Sequence, residues 1–147
     1  MSSGALFEKY RGIKIMVVDD EKIYHDILKN ILASLGFTVC EAFDGLEALT
    51  VFEDEAPWMV FSDLYMPKKN GLMMAREIQR KNKDVPIILM TGSISENSIV
   101  FSPDLKIISV ILKPFKLGDV ILALEQALQN IDDSRDSRIH RFGENKS

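Results

Sequence analysis

The amino-acid sequence predicts an α/β fold: a doubly wound, five-stranded parallel sheet between two helical layers, a three-layer sandwich with strand order 2-1-3-4-5. Three observations predict it. Short β-branched apolar runs alternate along the chain with segments of helical apolar spacing. The runs are apolar on both faces, so helices must cover the sheet above and below. Each pair of runs is separated by a helical segment, the connection that parallel neighbours need and that right-handed crossovers supply. In this strand order the topological switch lies between the first and third strands, and ligands gather beyond the carboxyl ends of the strands.

The elements follow in order. Residues 13–18, Ile-Lys-Ile-Met-Val-Val, form a buried strand that stops at Asp19-Asp20. Ile23, Ile27, Ile31 and Leu35 then recur every four residues, with Tyr24, Leu28 and Leu32 beside them, as one apolar helix face that Gly36 ends. Residues 37–42 are the second strand. Asp44 precedes Glu47 by three residues, a capping box with Asp in place of Ser or Thr. Leu46, Ala48, Leu49 and Phe52 supply the inner face of the helix it opens, and Pro57 closes the connection. The third strand, residues 58–61, ends at Ser62-Asp63. Residues 71–81 form a helix with Leu72, Ala75 and Ile78 inward, and residues 85–90 a fourth strand ending at Thr91-Gly92. A short helix from about Ser95 is cut by Pro103. The fifth strand, residues 107–112, ends at Lys113-Pro114, and a last helix from Leu117 to about Leu128 turns Leu117, Ile121, Leu124 and Leu128 to the core.

These elements occupy residues 12–130 as one domain. Residues 1–11 are an arm, either loose or a packed helical turn. Residues 131–147 hold four acids and four bases with few apolar groups, a flexible tail or a frayed extension of the last helix. Within 147 residues, 46% hydrophobic and 27% charged, the composition is that of a globular protein. With 18 basic against 22 acidic residues the net charge is −4, which gives no support for direct nucleic-acid binding. There is no apolar run of the ~20 residues a membrane span needs, and the N-terminus lacks the apolar core of a secretory signal. The single cysteine, Cys40, excludes an internal disulfide and a multi-cysteine zinc cluster. A cytoplasmic protein is expected.

The informative feature is the polar residue at each strand end. The first strand ends in Asp19-Asp20, the third in Asp63, the fourth in Thr91 and the fifth in Lys113. Parallel strands bring these groups to one sheet edge, with three carboxylates a few ångströms apart. Two like charges about 4 Å apart repel by about 4 kcal/mol at an effective dielectric of 20, so such a trio raises a carboxyl pKa or recruits a cation. Oxygen ligands suit Mg²⁺. Taken singly, each residue has an ordinary use: Asp19, Asp20 and Glu21 as helix caps, Asp63 in turn chemistry before Pro67 and Asn70-Gly71, Thr91 at a strand end, Lys113 as solvated surface. Capping gives no reason for acids, a hydroxyl and an ammonium to converge. A carboxylate can attack phosphorus to form an acyl phosphate, and the anionic phosphoryl group needs positive charge and donors. Asp63, alone at its strand end, is the nucleophile; Asp19-Asp20 hold the ion, Lys113 adds a second positive charge, Thr91 donates a hydrogen bond, and Gly92 leaves the approach open.

These pieces resemble the receiver domains of two-component response regulators, a flavodoxin-like fold. The resemblance covers roughly residues 12–130 and rests on Val-Val-Asp19-Asp20-Glu21, Phe-Ser-Asp63-Leu-Tyr-Met-Pro67 with Gly71, Met-Thr91-Gly92 and Leu-Lys113-Pro114-Phe115. Spacing fits as well: 43 residues from Asp20 to Asp63, 28 on to Thr91, 22 on to Lys113. The resemblance implies that Asp63 accepts a phosphoryl group from a histidine kinase or a histidine phosphotransfer protein. It implies Mg²⁺ on Asp20, Asp63 and the Tyr65 backbone carbonyl, with Asp19 acting through water, and a cis Lys113–Pro114 bond. Tyr65 and Ser93 match positions that influence dephosphorylation. One departure concerns signalling: the position three before the lysine, commonly an aromatic switch, is Val110, a stiff β-branched residue with no ring. Ser102-Pro103-Asp104-Leu105-Lys106 also lacks the usual small-residue pattern, so an atypical output face is expected.

His25 and His140 read as surface histidines. Met16, Met59 and Met90 read as core fillers and Cys40 as a small buried hydrophobe; Met73-Met74 read as core or the border of a partner surface. Arg135, Arg138 and Arg141 interleave with Asp132, Asp133 and Asp136 and make no nucleic-acid site. The expected function is a stand-alone phosphoacceptor, monomer or weak dimer, that signals to a downstream protein, since the 17 residues after 130 are too few for an output domain. A receiver fragment of a larger regulator or hybrid kinase is an alternative, and so is a small Mg²⁺-dependent aspartyl phosphohydrolase. Such enzymes place the nucleophile at the end of the first strand with a second acid two residues on; here Lys22 stands two after Asp20 and Glu21 two after Asp19, and no cap insertion for substrate selection is evident.

Overall fold

The computed structural model describes residues 2–92 and 105–144. Five parallel strands, β1 (Lys14–Val18), β2 (Thr38–Ala42), β3 (Met59–Asp63), β4 (Ile87–Thr91) and β5 (Ile107–Leu112), form one sheet in the order β2-β1-β3-β4-β5. The helices are α1 (Ser3–Lys9), α2 (Lys22–Ser34), α3 (Gly45–Glu55), α4 (Gly71–Lys81) and α5 (Leu117–Glu144). The expected short helix from about Ser95, with Pro103, lies outside the described residues.

Alternation along the strands splits the core in two. Ile15, Val17, Met59, Phe61, Ile88, Met90 and Ile111 face α1, α2 and α5; Met16, Val18, Val60, Ile87 and Leu89 face α3 and α4. Both faces are buried, as a doubly wound sheet requires. Local signals hold the helix ends where the sequence puts them. Asp44 caps α3 by accepting from the Glu47 amide at 2.7 Å, and Gly36 leaves α2 at φ 98°, a left-handed conformation suited to glycine. Asn70 caps α4 through the Met73 amide at 2.9 Å.

Helix faces depart from expectation. On α2 the buried residues are His25, Leu28 and Leu32, whereas Ile23 is 66% exposed. The apolar stripe there is wide enough to be rotated, and the sheet selects one side of it. Leu46 on α3 and Leu117 on α5 are exposed, while Val120, Ala123, Leu124, Ala127 and Leu128 carry the α5 contact. Met74 is buried and Met73 exposed; Met16, Met59 and Met90 fill the core as expected, and Cys40 is half-buried.

The first and last described segments meet. α5 runs past Leu128 to Glu144, so of the two readings of residues 131–147 the helical extension is the one formed up to Glu144, and of the two for the first residues the packed helix is the one formed. Leu6, Tyr10 and Ile131 join the core, and the buried Tyr10 hydroxyl donates to Asp132 Oδ1 at 2.5 Å. Lys9 Nζ reaches the same oxygen at 2.5 Å, and Arg135 lies over the Tyr10 and Trp58 rings. Those donors, Lys9 foremost, hold the Asp132 carboxyl below the usual aspartate range. A depressed folded-state pKa contributes stability above the unfolded value that is lost as pH falls through the folded one. Tyr10→Phe is therefore expected to lower Tm at pH 7, with the difference from wild type shrinking below about pH 4; thermal melts at pH 7 and pH 3 check both halves.

Candidate functional site

The strand register delivers the polar tips to one place. Val18 pairs with Ser62, Asp63 with Met90 and Thr91 with Leu112, so Asp19, Asp63, Thr91 and Lys113 all lie at the carboxyl edge of the sheet. Backbone bonds pin each tip to a neighbour: Asp19 N to Ala42 O at 3.2 Å, Leu64 N to Met90 O at 2.8 Å, Lys113 N to Thr91 O at 2.8 Å. Past Asp63 the chain folds back onto α4. Gly71 N donates to Leu64 O at 2.9 Å, and a Cβ on Gly71 would sit 2.4 Å from the Asp63 carbonyl, so only glycine allows that approach.

Lys113 is the hub. Its Nζ lies 2.7 Å from Asp19 Oδ2, 3.1 Å from Glu21 Oε1 and 3.4 Å from Asp63 Oδ2, and 4.4 Å from the centre of the Tyr24 ring. Tyr24 in turn packs on Phe115, and the Lys113–Pro114 bond is cis. Asp19 and Thr91 are wholly buried, Asp63 and Lys113 nearly so, and Asp20 faces solvent. Gly92 has open space around its Cα, Tyr65 exposes its ring, and Val110 is half-buried against the α3–α4 side of the core. Ser93 lies outside the described residues. The sequence does not mark Glu21 or Tyr24 as partners of the lysine. Glu21 reads as a cap and Tyr24 as helix flank, and only the return of β5 beside them gives them this role.

Oxygens of Asp19, Asp20 and Asp63 lie within 4.8 Å of one another. Burial first, and then the Asp19 charge, push the Asp63 carboxyl up to about 6, against which Lys113 acts in the other direction. Burial likewise raises Asp19, opposed by its contact with Lys113. Burial alone would lower Lys113, but Asp19 and Asp63 hold it above the ordinary lysine value. Asp19 Oδ1 accepts from the Glu21 amide at 2.9 Å, while the buried Oδ2 has its ammonium contact without hydrogen-bond geometry. An all-oxygen, over-acidic set with one side toward water fits a hard divalent cation.

A buried acid cluster with a converging lysine, at the switch point of a β2-β1-β3-β4-β5 sheet, defines the receiver class of two-component signalling. The profile described as response regulator receiver domain matches residues 15–125, and the chain belongs to that family. It is 36% identical over 119 residues, 81% of its length, to the probable transcriptional regulator ycf27 of Porphyridium aerugineum, of which the match covers 49%. Among solved structures it is similar to NtrX from Brucella abortus (30% identity, TM-score 0.79, 86% of this chain and 29% of that one). It is also similar to a response regulator receiver domain protein from Clostridium thermocellum (25% identity, TM-score 0.75, 82% and 97%). The chain spans about half the length of the curated relatives it matches. Among the described residues, no helix is long and apolar enough to cross a membrane.

A carboxyl group whose folded-state pKa is raised from 3.8 to about 6 costs stability once ionised, fully so above about pH 6 and not at all below the unfolded value. Asp63→Asn is expected to stabilise the metal-free protein by up to about 3 kcal/mol at pH 8. That gain fades as pH falls from 6 to 4, and added Mg²⁺ narrows it by stabilising wild type. Denaturation curves at pH 8 and pH 4.5, with and without Mg²⁺, measure all three effects.

Proposed function

We propose that Asp63 is the phosphoacceptor of this receiver domain, loaded by a histidine kinase or a histidine phosphotransfer protein. The observation that carries the reading is the position of Lys113 Nζ, 3.4 Å from Asp63 Oδ2 and 2.7 Å from Asp19 Oδ2. An Asp63 oxygen attacks phosphorus, the bond from phosphorus to the donor's leaving atom breaks, and the donor departs with the electron pair. Lys113 and the Thr91 hydroxyl meet the phosphoryl oxygens as negative charge builds on them. Mg²⁺ supplies the remaining charge neutralisation when bound; Asp20, Asp63 and the Tyr65 carbonyl would hold it, with Asp19 acting through water.

Gly92 leaves the approach to the acceptor open, Ser93 and Tyr65 modulate hydrolysis of the acyl phosphate, and cis Pro114 sets the path of the chain after Lys113. Residues 12–130 act as the receiver unit in the cytoplasm, as a monomer or weak dimer. They signal to a downstream protein by conformational change. Val110, half-buried and without a ring, makes an aromatic switch at that position unavailable. The curated relatives are named probable transcriptional regulators and are longer than this chain, which matches about half of each. A transcriptional output would therefore be carried by such a longer protein, with this receiver as its input.

Intact-mass analysis after incubation with acetyl phosphate and Mg²⁺ tests the reading. Wild type is expected to gain a single adduct of about 80 Da that Asp63→Asn lacks. Rapid consumption of many equivalents of donor would point to a hydrolase instead, and an adduct that persists in Asp63→Asn would place the acceptor elsewhere.

A further inference from the structure

We infer that His25 is a positioning residue for the cation pocket: by hydrogen bonding to the Asp19 carbonyl it aims the Asp19 and Asp20 carboxylates. The inference rests on the reading of Asp19, Asp20 and Asp63 as the cation-binding set. The sequence reads His25 as a surface residue, and the structure corrects this: it is 1% exposed, on the inner face of α2.

Its Nδ1 lies 3.2 Å from the Asp19 backbone oxygen. A carbonyl can only accept, so Nδ1 carries the proton and donates. The Asp19 carbonyl and the Asp20 amide belong to one planar peptide unit. Fixing the oxygen therefore fixes the plane from which both side chains spring. Asp19 N is already tied to Ala42 O at 3.2 Å, so the two bonds clamp Asp19 on both sides.

The imidazole is itself held. Phe43 stacks on it at 4.3 Å with 10° between the planes. Nε2 faces Glu41 Oε1 at 3.3 Å without a hydrogen bond among the described residues, and Lys29 Nζ holds the same Glu41 oxygen at 3.0 Å. Glu41 is the β2 partner of Val17, so the ring is braced between the β1 and β2 tips. A leucine at position 25 would satisfy the packing but leave the loop free to turn. Groups that orient metal ligands without touching the metal commonly change affinity by about 10- to 100-fold.

The side-chain nitrogen of asparagine superposes on Nδ1 of histidine and that of glutamine on Nε2, so the two amides separate the bond from the bulk. Isothermal titration of the full chain with Mg²⁺ alone, beside metal-free thermal melts, reads both. His25→Asn is expected to bind within about twofold of wild type, and His25→Gln and His25→Leu about tenfold more weakly. Both amides should lose similar Tm, because both lose the Phe43 stack. Equal weakening in Asn and Gln, or wild-type affinity in Gln or Leu, would overturn the inference; should Leu fail to fold, the amide pair decides alone. A wild type that takes up no Mg²⁺ overturns the cation-site reading and this inference together, a result distinct from a binding wild type whose variants do not separate.

Discussion

One ammonium group keeps the carboxyl edge of this sheet together. Parallel pairing of β1 with β3 forces Asp19, Asp20 and Asp63 into mutual reach, and about 4 kcal/mol of repulsion per close pair is the scale of the problem at an effective dielectric of 20. Lys113 arrives from β5 and places Nζ among Asp19, Glu21 and Asp63. Its reach depends on the β4–β5 pairing that ends at Thr91 and Leu112. The site is thus a property of the whole sheet. Burial first, and then the incompletely balanced charge, raises the Asp63 carboxyl to about 6 and leaves an acidic rim open to a cation.

The rest of the molecule serves to keep those tips in place. α4 starts at Asn70-Gly71 directly beneath the Asp63 carbonyl, a packing so close that a methyl group there would collide with backbone. Buried Gln79 fastens α4 to the start of β5, donating to Val85 O and Lys106 O and accepting from Lys106 N. On the other face α1 closes over α5, with the buried Tyr10–Asp132 bond at its centre. This contact joins segments that lie mostly outside the family match at 15–125.

What the sequence made legible was set by short-range physics. The capping by Asp44 and the turn at Gly36 each follow from a few neighbouring residues, the sheet follows from the alternation of strands and helices along the chain, and the polar strand ends located the pocket because parallel topology leaves them one edge to share. Long-range partnerships were not legible. Tyr10 and Asp132 are 122 residues apart, and nothing in the polar composition after residue 130 announces a helix that another helix supports. The buried face of α2 is ambiguous in the sequence because the apolar positions between Ile23 and Leu35 span more than one side, and His25 finds its place only through its acceptor, a backbone carbonyl outside its own helix.

The most direct measurement is a crystal structure of the full chain with Mg²⁺ and beryllofluoride, an analogue of the phosphoryl group. The expected result is beryllium bonded to an Asp63 oxygen, with Lys113 Nζ drawn from Glu21 to one fluorine and the Thr91 hydroxyl hydrogen-bonded to another. An adduct on a different residue would contradict the central claim, and so would an Asp63 adduct from which Lys113 and Thr91 both turn away.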